Sequence, residues 1–443
     1  MDTVGFMKKE KEFKIKEILY LEKIKEKILS SLYEKNNVIS FRFLMEKDLS
    51  FLFKGDMNLD FLKKILEKKY FIEKPSEKNI IKSLQTVESF FKNSLRHHWT
   101  LFILNGSIVP NLSNYRDSPY QIKSVPYTDD LSSHISGVVD VEDAFSYLMQ
   151  LISKKIIYIK SHKNSFPKKT LYIFNIASGS KKNNILNLNY CRYFLKVSQG
   201  SKIKIVEIFI SIDHFSYFTT RLFTCKIEKN SSLLYNKINL ENDHNLHYSY
   251  YGSFLKRNSL LQYNDVSLGS KDSQNKVKIY LNGCKSKVVL NNTSLQKNSE
   301  TNSNHTSVNH VRPFGESEQT YNMISLDEST VDLKNIIHIS PESPFSSGKI
   351  VNKNLIFGKH SKISSLPQLD IYNKESYCSH EVTIGNIDEE LIFYFRSRGI
   401  SKNKSKEIII ISFFKEILDN MHTEFIKNKI LELISKEILK NFS

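Results

Sequence analysis

From about residue 99 to residue 384 this 443-residue chain carries almost no helical periodicity. Short apolar runs, at 101–104, 156–159, 202–212, 276–281 and 287–290, alternate with turns bearing Asn, Ser and Gly. Residues Lys202 to Ile210 alternate polar and apolar over most of their length, the pattern of a half-buried strand. Many short strands with no helices between them suggest a sandwich, a barrel or a β-solenoid. Periodicity alone does not choose among these. No fixed-length repeat stands out, so a solenoid here would have to be an irregular one.

The flanks read differently and divide the chain into segments 1–98, 99–384 and 385–443. In the first, Phe13, Ile15, Ile18, Leu19, Leu21, Ile24, Ile28, Leu29 and Leu32 recur mostly at three- and four-residue steps, an amphipathic helix pattern. Two shorter sets follow, Phe61, Leu62, Ile65 and Leu66, then Ile80, Ile81 and Leu84. After Gly385, Asp388 is placed to cap a helix opening with Glu389 and Glu390, and Gly399 to stop it. Ser401 is placed to cap a second helix through Phe413 and Phe414, and a third carries Phe425, Ile426, Ile430, Ile434 and Ile438. So small a bundle cannot bury its own apolar surface. It must pack on the β-region or on another protein.

The longest apolar run, at 408–414, is broken by Ser412 and falls far short of the roughly 20 residues of a membrane span. No apolar stretch follows the lysines of the first ten residues, so a secretory signal is not expected and the expected compartment is the cytoplasm. The four cysteines form no CxxC pair, which argues against a closed zinc site. A net charge of +17 invites a nucleic-acid reading, but only 9 of the 64 basic residues are arginine and the lysines are spread along the chain. They read as a solvated coat. Gly348-Lys349 lacks the rest of a P-loop, and neither GxGxxG nor GxSxG occurs. A β-helix enzyme acting on carbohydrate is the alternative functional class. It needs clustered acids, whereas Asp140/Asp143 and Glu389/Glu390 read as caps and surface charges.

Two histidine settings matter. His305 and His310, five residues apart, face opposite sides of a regular strand and cannot share a metal, so structural hydrogen bonding is expected. Cys378 and His380 are two apart and share a face, which sets a thiol beside an imidazole. Both suit iron or zinc, but two ligands are half a site.

The run Pro367-Gln368-Leu369-Asp370-Ile371-Tyr372, Cys378-Ser379-His380, Thr383-Ile384-Gly385, then Asp388 through Phe393-Tyr394-Phe395-Arg396-Ser397-Arg398-Gly399-Ile400 resembles the C-terminal signature of the SufB/SufD family. These are subunits of the Suf iron–sulfur cluster assembly system. The resemblance spans roughly residues 100 to 435 and is nearer the SufD branch. One departure is His380-Glu381-Val382-Thr383, where that branch usually reads His-Gly-Ala-Thr.

The resemblance implies a mainly β protein, a right-handed parallel β-helix flanked by N- and C-terminal helical regions. It implies a non-catalytic scaffold that pairs with SufB through the β-helix and docks the SufC ATPase through its C-terminal helices. Phe393, Tyr394, Phe395, Arg396, Arg398, Phe413 and Phe414 are then the expected docking residues. His380 and, more weakly, Cys378 are the expected ligands for iron or a transient iron–sulfur cluster shared with SufB, with none held stably by this chain alone. Neither nucleic acid nor membrane is an expected partner.

Overall fold

The computed structural model describes residues 75–126, 155–181, 185–358 and 360–442, together with Val38–Ser40 and scattered positions between 61 and 73. The amphipathic pattern at 13–32 lies outside the described residues. The first elements are β1 (Val38–Ser40), β2 (Lys69–Phe71) and helix α1 (Glu77–Phe91), then β3 (Trp99–Leu104), β4 (Ser107–Ile108), β5 (Tyr120–Pro126), β6 (Lys155–Ser161) and β7 (Leu171–Ala177). The N-terminal segment is thus not wholly helical. Its strand β2 lies parallel against β8 (Ile185–Val197), adding to a sheet. Three-residue strands are too short to show a period.

From β8 the chain winds into a parallel two-sheet solenoid of seven coils. One sheet takes β8, β10 (Tyr217–Ile227), β12 (Leu246–Leu255), β14 (Asp272–Leu281), β16 (Thr301–His310), β18 (Thr330–Ile339) and β20 (Lys362–Ile371). The other takes β9 (Lys202–Ser211), β11 (Ser232–Leu240), β13 (Leu260–Ser267), β15 (Lys287–Gln296), β17 (Glu316–Ser325), β19 (Ser347–Ile356) and β21 (Tyr377–Asn386). Strand registers give coils of 26 to 32 residues: Leu246 lies beside Asp272, and Thr330 beside Lys362. That spread is why no repeat is visible in the sequence.

Inward residues stack coil upon coil. Val197, Ile227, Leu255, Leu281, His310, Ile339 and Ile371 form one ladder. The lumen of the first coils also holds charge. Arg221 and Glu207 form a fully buried ion pair at 2.7 Å. The guanidinium donates to Tyr235 Oη at 2.7 Å and lies 4.6 Å from the Phe223 ring centre. In the next coils Lys237 pairs with Asp265 at 3.2 Å and donates to Asn275 at 2.6 Å. Ions buried in this way persist only when paired and hydrogen-bonded.

Helices α2 (Glu389–Ser397), α3 (Lys402–Leu418) and α4 (Glu424–Phe442) follow the solenoid. Asp388 caps α2 through the Glu390 amide at 2.8 Å, Ser401 caps α3 through Lys404 at 3.3 Å, and Gly399 between them has φ +79°. Ile410, Phe414, Leu418, Ile426, Ile430, Ile434 and Ile438 pack with Val206, Ile208, Ile238, Val266, Leu295 and Ile324 of the second sheet. An asparagine ladder anchors the turn between α3 and α4. Asn291 donates to Asn264 and Asn264 to Asn236, each at 2.7 Å, and Asn236 donates to the Met421 carbonyl at 2.9 Å.

Much of the C-terminal apolar surface therefore covers the chain's own sheet rather than a partner. Phe414 is fully buried there, which corrects its expected docking role. No helix among the described residues is long and apolar enough to cross a membrane.

Candidate functional site

Cys378 and His380 lie on β21, the last strand of the second sheet. Strand alternation sets both side chains inward, and the registers show what lies beneath each. Cys378 ends the ladder Ile203, Leu233, Leu261, Val288, Ser317, Gly348. His380 ends the ladder Ile205, Tyr235, Tyr263, Leu290, Gln319, Ile350. Among the described residues no further coil covers them. A position that is core in every earlier coil becomes, here, the floor of an open end.

The two side chains are not equally open. Cys378 is half-buried and packs against the cluster of Ile337, Ile339 and Ile350, whereas His380 is exposed. A Cβ on Gly348 would come within 3.1 Å of Cys378 Sγ, so glycine makes the room in which the thiol sits. Burial pushes the thiol up to about 11, partly offset by a hydrogen bond from the Gly348 backbone. At neutral pH the free chain holds Cys378 as a thiol, and ligation of a metal requires the thiolate. The exposed imidazole is the readier ligand. Glu381 lies between inward-facing neighbours and projects from the other face of β21. Val382, not Glu381, follows His380 inward, so the departure from His-Gly-Ala does not set a carboxylate beside the imidazole.

His305 and His310 behave as their spacing requires. His305 lies on the outer face of β16, with Nε2 3.4 Å from Asp332 and 3.2 Å from Ser303 Oγ. His310 faces the lumen, 2.8 Å from Ser317 Oγ, and burial lowers it to about 4. The structure does not bring them together. Among the described residues no group of three or more His, Cys, Asp or Glu is placed to hold a metal ion.

Sequence reasoning missed the surroundings of the pair. Among the described residues strand β20 is bonded only to β18 and β21 only to β19, so both sheets end in a bare edge. Around these edges Leu366, Tyr372, Tyr377 and Ile384 are exposed, Tyr377 at 71%. That the two last strands would lie open was not readable from the sequence.

On α2 only Ile392 is buried, and Phe393 and Tyr394 are 72% and 53% exposed. Arg396 and Arg398 are exposed, and Arg398 lies 5.2 Å over the Tyr394 ring. Phe395 and Phe413 are half-buried. A cleft of about 450 Å³ opens between α2, α3 and the ends of β19 and β21, lined by Leu355, Leu391, Ile409 and Phe413 with Lys353 and Glu416.

Residues 177–413 match the family described as "SUF system FeS cluster assembly, SufBD core domain". The iron–sulfur cluster assembly protein SufD of Escherichia coli (strain K12) is 26% identical, covering 76% of this chain and 79% of that protein. The chloroplast protein ABCI7 of Arabidopsis thaliana is 23% identical over 74% of this chain and 70% of its own. A SufBD family protein of Synechocystis sp. is 19% identical over 76% and 78%. The matched span runs from the end of β7 into α3 and so contains the solenoid, the Cys378/His380 strand, α2 and most of α3, but not α4. The chain belongs to the SufBD family of iron–sulfur cluster assembly proteins and is of the SufD type.

Proposed function

We propose that this chain is a non-catalytic scaffold subunit, working in the cytoplasm, on which an iron–sulfur cluster is assembled at a joint with a second, SufB-type chain. The observation that carries this is the bare last coil. Two unpaired strand edges rimmed by Leu366, Tyr372, Tyr377 and Ile384 are a surface that a second solenoid end can continue. His380 stands on the floor of that joint and supplies a ligand to iron or to the nascent cluster, with the remaining ligands from the partner. Cys378, drier and protonated, is the secondary ligand, recruited once a cation lowers its pKa.

A divided ligand set suits the task. A cluster must be held during assembly and given up afterwards, and a site completed only when two chains are apposed can do both. The exposed aromatic side of α2, with Phe393, Tyr394, Arg396 and Arg398, is the proposed dock for the SufC ATPase. Phe395 and Phe413 border it, and Phe414 is excluded.

Co-expression with SufB and SufC from the same organism, purification through a tag on this chain and anaerobic iron and sulfide analysis test the reading. The expected product contains one copy of each scaffold chain and two of the ATPase. The His380→Ala complex should assemble normally but build clusters slowly; wild-type rates in that variant would remove the ligand role. Failure to recover either partner would remove the scaffold role.

A further inference from the structure

Each of the first six coils turns from the first sheet to the second through a corner in which one residue adopts positive φ. Gly200, Asn230, Asn258, Lys285, Phe314 and Phe345 hold this place in successive coils, with φ between +55° and +73°. The corners are bonded to one another. The Asn230 amide donates to the Arg257 carbonyl, Asn258 to Cys284, Lys285 to Pro313 and Phe314 to Pro344, all at 3.0 to 3.2 Å. The corner therefore takes a left-handed backbone in each of the first six coils and has no need of an aromatic. Asparagine and glycine meet that demand with least strain, and a bulky side chain there is a true outlier.

The two phenylalanines nevertheless fill the last two such corners before the open end. They are 46% and 56% exposed and stack on each other with ring centres 5.3 Å apart. A pairing that strains the backbone and leaves both rings in water does not serve the fold. The salt bridge Arg312–Glu342, at 3.7 Å, lies beside them on the same two corners.

We propose that the Phe314–Phe345 stack is a second contact for the SufB-type chain that caps the last coil. This rests on the pairing proposed above. The corner is what links the two sheets, so a chain that continues both edges brings its own corner over residues 373–376. Phe345 lies one strand spacing, about 4.8 Å, behind that coil, and Phe314 two. The backbone is continuous with the bare edge as well: Tyr377 of β21 donates to the Ser346 carbonyl at 3.0 Å. An apolar side chain from the partner's corner reaches the stack, which locks the partner at one rotation about the solenoid axis.

The test is the double variant Phe314→Asn/Phe345→Asn in the full-length chain, which installs the residue already used at Asn230 and Asn258. The thermal midpoint of the variant alone should equal or exceed the parent's, because strain is relieved. Its Kd for the SufB-type chain should rise about tenfold or more, as for a buried aromatic anchor. Phe345→Lys, which repeats the residue that Lys285 supplies at the same corner, provides a second route. An unchanged Kd overturns the proposal, as does a lowered midpoint that accounts for the lost binding. An edge variant, Leu366→Asp, separates the two readings. If it abolishes binding while the Asn variant binds like the parent, edge pairing stands and the corner contact falls. If the parent does not bind the SufB-type chain, both fall. If the Asn substitutions dissolve only a homodimer of this chain, the corner belongs to a second copy and the assignment here is wrong.

Discussion

The first and last coils share one backbone and differ in what their lumen is asked to do. In the first three coils, charge is enclosed: Arg221, Glu207, Lys237 and Asp265 are at most 1% exposed and each has an opposite partner. In the last, the ladder that begins with Glu207, Lys237 and Asp265 ends at Val382 and the two neighbouring inward ladders end at Cys378 and His380, with no coil over them among the described residues. The buried ion pairs are therefore structural, and the candidate site is the place where the ladders stop.

Four expectations test that contrast. The largest concerns Arg221→Ala, which strands Glu207 without its cation and should cost about 3–5 kcal/mol in urea unfolding. The double change Arg221→Met/Glu207→Leu should cost much less. If the single change is mild, the first coils are not the rigid end.

Next is Glu300, whose carboxyl burial raises to about 8 at the seat of α4, where Lys297 pairs with Glu437. The folded state keeps a proton that the unfolded state has lost between about pH 4.5 and 8. Stability should therefore fall as pH rises through that window and stay level above it. Glu300→Gln should remove the fall, worth a few kcal/mol at pH 8, and denaturant midpoints measured across the window would show it. His310, lowered to about 4, has the opposite sign: its contribution is present above about pH 6.5 and fades as pH drops toward 4.

A smaller effect belongs to Asn264→Ala, which breaks the ladder under the α3–α4 turn and should cost about 1–3 kcal/mol. Hydrogen exchange should quicken around residues 419–423 before it quickens in the strands. Least of all, Cys378→Ala and His380→Ala in the isolated chain should stay within about 0.5 kcal/mol of the parent, since the open end has little packing to lose. A large loss there would mean that the last coil is core rather than site.

Much of this was legible in the residues. Lys202 to Ile205 alternate because one face of β9 meets water there; beyond Val206 both faces are buried, one of them by the C-terminal helices, and the alternation stops. The i, i+2 spacing of Cys378 and His380 placed them on one face, and the strand bears that out. The caps Asp388 and Ser401 were readable because a short polar side chain before a helix has one clear use. Phe414 does not follow its expected role because α3 is apolar on more than one side. The stripe Ile410, Phe414, Ile417, Leu418 at steps of four, three and one marks the covered face and would have separated it from Phe413. The bare edges had no signal, because which strand comes last depends on pairing between residues about 30 apart.

A solenoid whose sheets both end unpaired also has a bearing on supply. Its last coil is a template that accepts any matching strand, and this includes strands of other copies. Pro367 blunts one edge, while β21 carries no proline at all. Under the pairing proposed above, a cell that makes this chain ahead of a SufB-type chain would hold a pool of adhesive ends. Balanced synthesis of the two scaffold chains, or prompt proteolysis of the surplus, is then a requirement set by the geometry of one strand rather than by the chemistry of iron.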